Sequence, residues 1–256
     1  GFEKLINCNL FKNLTLGIDP KIFTLQQINR YFLKRNSIKI INYNLIDQIF
    51  DNYPNNIKAF YSIEKKIVGE SHNTKIDKVS KIPRKENADY LFVSAPENVA
   101  WLLNIRGHDY PNSPLPNCRL LVSKEKKIFF ISEFSKLKNL INEKKFKINQ
   151  VINPNDLSVL FKSLKKGRMV IDNKTCSIFH RNIIDKKFKI LDKNDPIYLL
   201  KSMKNKNEIN HMILSHIFDG VALTKFLYWI KVKNNKKISE VDAQNKLEKF
   251  RKMNKN

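Results

Sequence analysis

Acidic residues, glycine, proline and cysteine are all scarce in this chain, and each shortage excludes something. Six glycines and nine prolines among 256 residues leave no room for a repetitive fibre or a long disordered tract. The three cysteines, Cys8, Cys118 and Cys176, lie far apart with no C-x-x-C pair. Neither a disulfide framework nor a zinc site is signalled, and a reducing, cytoplasmic compartment is expected. No uninterrupted apolar run approaches the ~18 residues of a membrane span, so no membrane partner is expected. No G-x-G-x-x-G, P-loop, G-x-S-x-G or H-E-x-x-H motif is present, which removes the usual signatures of dinucleotide, nucleotide, esterase and zincin chemistry. The first residue is Gly, and Gly1-Phe2-Glu3-Lys4 lacks a basic region leading into an apolar core. A signal peptide is therefore not read there, and processing or truncation is expected to have removed the true start.

Only 24 acidic residues oppose 48 basic ones, for a formal charge of +24. Such a charge attracts nucleic acid or anionic surfaces. The basic residues are nevertheless spread along the whole length and are mostly lysine, whereas arginine is the better reader of bases. No specific nucleic-acid partner is expected. Hydrophobic residues make up 42% of the chain, enough to bury a core.

The pattern of elements divides the chain. Leu14 to Pro20 alternates as a strand, and Thr24 caps a helix through about Arg35 with Leu25, Ile28 and Phe32 on one face. Ser37 to Ile41 is a short strand and Asn44 to Phe50 a short helix. Residues 1–72 thus read as the end of an α/β domain followed by a linker over Tyr53 to Gly69. Residues 73–196 have the complement of a complete mixed-sheet α/β domain. A helix from Asn73 to Asn87 carries Pro83 within it. A strand from Asp89 to Ser94 leads to a helix starting with Pro96 at its first position. Arg119 to Ser123 and Lys127 to Ser132 form a hairpin turned by Lys124-Glu125-Lys126. Glu133 to Asn142 is helical and Phe146 to Ile152 a strand. Asn155 or Asp156 caps a helix ending near Gly167, and Arg168 to Asp172 is another strand. Asp195-Pro196 marks a boundary. In residues 197–256, Asn207 to Val232 is a long helix with one apolar stripe, Ile209, Ile213, Ile217, Gly220, Leu223 or Thr224, Leu227 and Ile230. Ser239 to Asp242 is a capping box opening a second helix.

The densest chemistry lies in Trp101-Leu102-Leu103-Asn104-Ile105-Arg106-Gly107-His108-Asp109. An apolar run delivers Asn104, Arg106 and Asp109 into a loop stiffened by Pro111, Pro114 and Pro116, and such loops carry function disproportionately. Arg106 and Asp109 suit substrate contact or a salt-bridged domain interface. Trp101 suits core packing more than a ligand platform. His216 and Asp219 have the i,i+3 spacing of metal ligands, but no third ligand accompanies them, so capping or packing is expected.

The loop resembles the W-L-x-N-x-R-G-x-D segment of the X-Pro aminopeptidases, in the second of their three domains. Further motifs follow in the same order. Leu16-Gly17-Ile18-Asp19-Pro20 is similar to the family's L-G-I-D-P, and Asn44-Leu45-Ile46-Asp47 to its N-L-V-D. Lys204, Glu208 and Ser215-His216-Ile217-Phe218-Asp219-Gly220-Val221-Ala222-Leu223 resemble its K-x-x-x-E and A-H-x-x-D-G-x-A-L helix. Ser239-Glu240 with Ala243, Leu247, Phe250 and Arg251 resembles the helix after it. Pro83, and Ser215 where the family has Ala, are departures. The resemblance implies a ribonuclease-H-like creatinase-N-type domain over 73–196. A partial α/β domain precedes it, and the truncated opening helices of a catalytic pita-bread domain follow. It further implies a cytoplasmic, dimeric metallopeptidase that removes the residue before proline from peptides, using two divalent metals, usually manganese. The family's five metal ligands lie downstream of the Ser239-Glu240 helix. Hence no metal ligand is assigned within this chain, which alone is expected to be inactive. Asn104, Arg106 and Asp109 are the expected substrate or interface residues. A non-catalytic binding or dimerisation module of the same fold is the alternative.

Overall fold

The computed structural model describes residues 13–32, 37–41, 43–44, 46–50, 58–232 and 238–253. These fall into two compact units: Gly1–Glu64 with Glu70–Met203, and Lys65–Gly69 with Lys204–Asn256. Cys8 lies outside the described residues.

The first unit is built on a six-stranded mixed sheet. Its strands are β4 (Tyr90–Val93), β6 (Arg119–Ser123), β7 (Ile128–Ile131), β8 (Val151–Ile152), β9 (Arg168–Ile171) and β10 (Lys189–Asp192), in the spatial order β10-β9-β4-β6-β7-β8. β4 runs parallel to β9 and antiparallel to β6. All four residues of β4 are buried, because helices cover both faces and a strand covered twice reads as a continuous apolar run. Alternation then sorts the side chains. Leu91 and Val93 join Leu120, Val122 and Val170 on one face, under helices His72–Val79, Pro96–Leu103 and Lys138–Asn142. Tyr90 and Phe92 join Leu121, Met169 and Ile171 on the other, under helices Leu157–Ser163 and Ile178–Asp185. This is the mixed-sheet α/β architecture expected from the sequence.

The smaller layer before it is a parallel pair, β1 (Thr15–Ile18) with β2 (Ser37–Ile40). Thr24 caps the helix Leu25–Tyr31 reciprocally with Gln27, as the S/T-x-x-E/Q pattern requires. The expected continuation to Arg35 enters residues outside the description. Ile18, Ile28 and Phe32 bury themselves against Ile178, so this layer borrows its core from helix Ile178–Asp185.

Several expectations are corrected. The 73–87 helix is two helices, His72–Val79 and Lys81–Lys85, divided at Ser80. A proline ring collides with the carbonyl four residues earlier. The break places Pro83 third in a new helix, where no amide partner is needed. Phe146 to Ile152 is mostly not a strand. Gln150 closes a single turn onto Lys147, accepting from its amide at 2.8 Å, and only Val151–Ile152 pairs with β7. Of the two expected caps of the next helix, Asp156 holds the N-cap position, but its side chain makes no capping hydrogen bond. Asn153 initiates a tight turn by accepting from the Asn155 amide, and the helix is Leu157–Ser163. It stops short of Gly167 because Ser163 Oγ turns back to Leu160 O and Leu164 packs into the core. Asn44 to Phe50 holds only the turn Ile46–Gln48, with Leu45 outside the description. The expected linker contains β3 (Tyr61–Ser62), paired with β5 (Ile105–Arg106), and a short helix, Lys65–Val68. Residues 53–57 of it are not described.

The second unit is the helix Lys206–Val232 with Glu240–Met253, joined by Asp219 to Arg251 at 2.7 Å. Asp219 thus forms an exposed ion pair, where capping or packing was expected. The single-stripe expectation fails. Met212, Leu214, Phe218, Val221 and Tyr228 are exposed off the stripe, so the helix is apolar all round. An 18-residue window reaches a mean hydropathy of 1.2, so the helix is long and apolar enough to cross a membrane by length and composition, unlike any uninterrupted run in the sequence.

Phe92 is 1% exposed at the sheet centre. Phe92→Ala should destabilise the first unit by about 3–5 kcal/mol, read as a fall in the urea midpoint with an unchanged slope. A loss below about 1 kcal/mol would mean that the face collapses around the void.

Candidate functional site

The loop after helix Pro96–Leu103 starts at Asn104, whose backbone is left-handed at φ 52°, ψ 48°. Asparagine tolerates this conformation better than other side-chain-bearing residues, so it ends the helix there. Its amide then ties distant segments together. Asn104 Oδ1 accepts from Lys75 Nζ at 2.8 Å, and Nδ2 donates to Glu70 O at 2.8 Å. Its carbonyl accepts from the Ile63 amide at 2.9 Å and from Lys145 Nζ at 3.2 Å. Lys75 is 1% exposed. A buried amine needs partners, and Lys75 also donates to Trp101 O at 2.9 Å while resting 4.0 Å from the Trp101 ring centroid. Trp101 itself packs at the margin of the core.

Asp109 is a clamp. Its carboxylate accepts from the Asn117 amide at 2.6 Å and from Lys136 Nζ at 2.8 Å, with side chains only 6% and 13% exposed. Of the two expected roles, substrate contact or a salt-bridged loop, Asp109 takes the second, with Lys136 as its partner. Gly107 lets the strands of the loop close. A Cβ there would fall 2.7 Å from Pro116 Cα and 3.0 Å from Phe60 Cδ1, inside van der Waals contact. Gly107 N donates to Pro114 O, and Asp109 N to Leu115 O. The His108 ring lies 5.5 Å from that of Tyr61.

Arg106 differs from its neighbours. Its Nη1 donates to Ile105 O at 2.8 Å, with a longer contact to Ala100 O at 3.5 Å. No carboxylate pairs with it among the described residues. Burial lowers its pKa from the ordinary value, although a guanidinium stays charged at any physiological pH. The loop thus holds a half-buried cation on a rigid frame, satisfied on one side by backbone carbonyls alone. Such a group is equipped to receive a carbonyl or carboxylate.

Residues 51–208 match the Creatinase/Prolidase N-terminal domain family. The chain belongs to this family. Among curated relatives, Xaa-Pro aminopeptidase 1 of Dictyostelium discoideum is 32% identical over 243 residues, covering 87% of this chain and 38% of that protein. Xaa-Pro aminopeptidase ApepP of Drosophila melanogaster is 27% identical, covering 95% and 41%. The chain therefore spans about 40% of the length of these relatives. The fold matches the X-prolyl aminopeptidase of Caenorhabditis elegans, described as a cytosolic enzyme with a di-nuclear active site. The TM-score is 0.80 at 21% identity, over 98% of this chain and 43% of that one.

The structure brings Asn104, Arg106 and Asp109 into one loop with three different tasks. It also adds residues that the sequence did not single out. Lys75, Lys136 and Lys145 fix the loop from below, and nothing in their sequence contexts marks them among so many lysines. Asp195, expected at a boundary, is buried. It accepts from Asn98 Nδ2 and the Ile197 amide, and burial raises its pKa.

Lys145 is half-buried, donating to Ser62 Oγ at 2.8 Å, and burial lowers its pKa to about 8. An unfolded lysine titrates near ~10.4. Between these values the unfolded chain binds the extra proton, so stability should rise with pH from about 8 to about 10.4. Thermal melts of wild type and Lys145→Met across that window should show this rise in the wild type alone. A second expectation separates the loop's two charges. Asp109→Ala leaves the largely buried Lys136 with the longer 3.6 Å contact to Glu133 in place of its 2.8 Å pair and should cost about 2 kcal/mol, whereas Arg106→Ala should leave the melting temperature of this chain within about 2 °C. Equal losses would make Arg106 a fold residue.

Proposed function

We propose that this chain belongs to an Xaa-Pro aminopeptidase, a metal-dependent enzyme that removes the N-terminal residue before proline, and that Arg106 contacts its peptide substrate or the neighbouring subunit. The observation that carries the role of Arg106 is its guanidinium, fixed by the Gly107–Asp109 frame and paired with no carboxylate among the described residues. Bidentate acceptance of a carboxylate or carbonyl by such a fork adds orientation as well as energy. The similarity to Xaa-Pro aminopeptidases over most of the chain supports the reaction.

The di-nuclear centre named for the Caenorhabditis elegans enzyme supports two divalent metals, manganese in our reading, in the whole protein. The residues described here do not fit such a centre. No group of three His, Cys, Asp or Glu gathers among them, and Asp219 is engaged by Arg251. We place the metals in the length that the relatives have beyond this chain's span, and read 1–72, 73–196 and 197–256 as parts of three successive domains. A cytoplasmic homodimer is the proposed context, with no specific nucleic-acid or membrane partner.

The second unit supports the catalytic-domain reading. A helix apolar on all sides belongs in an interior. Gly220 lies mid-helix with nothing within 4 Å of the place its Cβ would take. A glycine there costs about 1 kcal/mol relative to alanine, which is reasonable only where another backbone approaches. Gly220→Ala should therefore raise the stability of this chain by about 0.5–1 kcal/mol and lower that of the whole enzyme.

The decisive experiment uses the whole enzyme, loaded with manganese, on an Xaa-Pro-containing tripeptide. Arg106→Ala should lower kcat/KM by about 10- to 100-fold or weaken dimerisation, with Arg106→Lys failing to restore it. Turnover and oligomeric state both unchanged would remove Arg106 from the site. Absence of Xaa-Pro cleavage by the wild type would remove the reaction.

A further inference from the structure

A cavity of about 410 Å³ opens in the first unit on the side of the sheet under helix Ile178–Asp185. Its walls come from the start of β6, the end of β7, the Pro154–Ser158 turn and that helix. Ile131, Phe179 and Ile183 supply apolar surface. Arg119, Lys21 and Glu133 supply charge.

The charges do not cancel. Arg119 Nη1 donates to Cys118 O at 2.8 Å and to Asn117 Oδ1 at 3.0 Å, which aims the fork without neutralising it. Lys21 Nζ lies 5.6 Å from the Phe179 ring centroid. Neither cation pairs with a carboxylate among the described residues, and Glu133 leans toward Lys136 at 3.6 Å. His180 adds no charge. Its Nδ1 lies 2.8 Å from Ser177 Oγ, and burial, helped by Arg119 and Lys21, lowers its pKa to about 3. Two cations against one carboxylate leave one net positive charge beside an apolar wall.

Another cavity, about 420 Å³ near Asp172 and Asp192, offers no such surplus. Asp172 accepts from the Lys174 and Asp195 amides, Asp192 from the Asn173 amide, and Lys193 pairs with Glu86.

We propose that the Arg119–Lys21 cavity is a binding site for a small organic monocarboxylate with an apolar body, separate from the loop of Arg106. The guanidinium takes the carboxylate side-on, Lys21 closes over it from the rim, and the aliphatic or aromatic body lies against Phe179 and Ile183. A dianion is disfavoured by Glu133, and a neutral ligand leaves the charge of Arg119 unanswered. This cavity has the size of small-molecule sites, with convergent polar groups beside apolar surface.

The test uses the 256-residue chain with 3-phenylpropionate as probe and 3-phenylpropanamide as its neutral twin, by titration calorimetry at constant ionic strength. The acid should bind saturably and at least about tenfold more tightly than the amide. Lys21→Gln, at an exposed position, should weaken the acid at least about threefold with no change in melting temperature, and Arg119→Gln at least about tenfold. Glu133→Gln should strengthen it. No saturation by about 20 mM acid, equal binding of acid and amide, or an affinity unmoved by Lys21→Gln would each overturn the proposal. The last result would mean that the acid sits elsewhere on a strongly basic surface.

Discussion

The hydrogen bond between Lys75 and Asn104 is the contact on which the arrangement of the loop depends. Lys75 is buried on helix His72–Val79, and its amine donates to Trp101 O and Asn104 Oδ1 and rests on the Trp101 face. Losing the amide oxygen would take one hydrogen-bond acceptor from a buried amine, which costs more than a surface contact of equal length gains. The same amide requires Asn104 to hold its left-handed turn, and that turn sends the chain from helix into β5. β5 then pairs with β3 at Tyr61 and Arg106. One buried amine thus sets where the helix stops, which residue follows, and which way Arg106 faces.

Much of the fold was readable because the strongest signals were local. β4 and the β6–β7 hairpin stand where apolar runs and a three-residue turn put them, and the long helix where a long apolar-rich stretch does, without the expected stripe. Lys126 even takes the positive φ that the turn demands, at 68°. Much of what failed depended on tertiary context. β10 and helix Ile178–Asp185 carry mixed sequences, Lys189 to Asp192 having only two apolar residues. Pairing with β9 fixes the place of β10, while helix Ile178–Asp185 carries an amphipathic period and a Ser177 cap that were legible and went unread. Phe146 to Ile152 reads as a strand by composition, but a side chain–backbone turn at Gln150 competes with the ladder and wins.

The site was half readable for the same reason. Motif density picked out Asn104, Arg106 and Asp109, and glycine among prolines marked a tight loop. The assignment of partners was not visible. Charge type suggests joining Arg106 to Asp109, yet Asp109 reaches Lys136, twenty-seven residues away in sequence. A long-range partner chosen from dozens of similar lysines cannot be read from spacing.

The shortage of acids gives the lysines an uncommon role. With half as many carboxylates as cations, many ammonium groups cannot form ion pairs, and several satisfy backbone carbonyls instead. Lys75 serves Trp101 O, Lys145 serves Asn104 O, and Lys187 serves Lys162 O. Charge used in this way serves the fold as well as the surface. The surplus that matters is local. Arg106 and Arg119 are arginines whose forks are aimed by the carbonyls of the residues just before them and met by no carboxylate among the described residues. Desolvating a guanidinium without a counter-charge is costly, and a fold retains such a group more readily where an anion or carbonyl from outside completes it. In a chain poor in acids, the fixed and unanswered arginines are therefore better guides to recognition than the net charge.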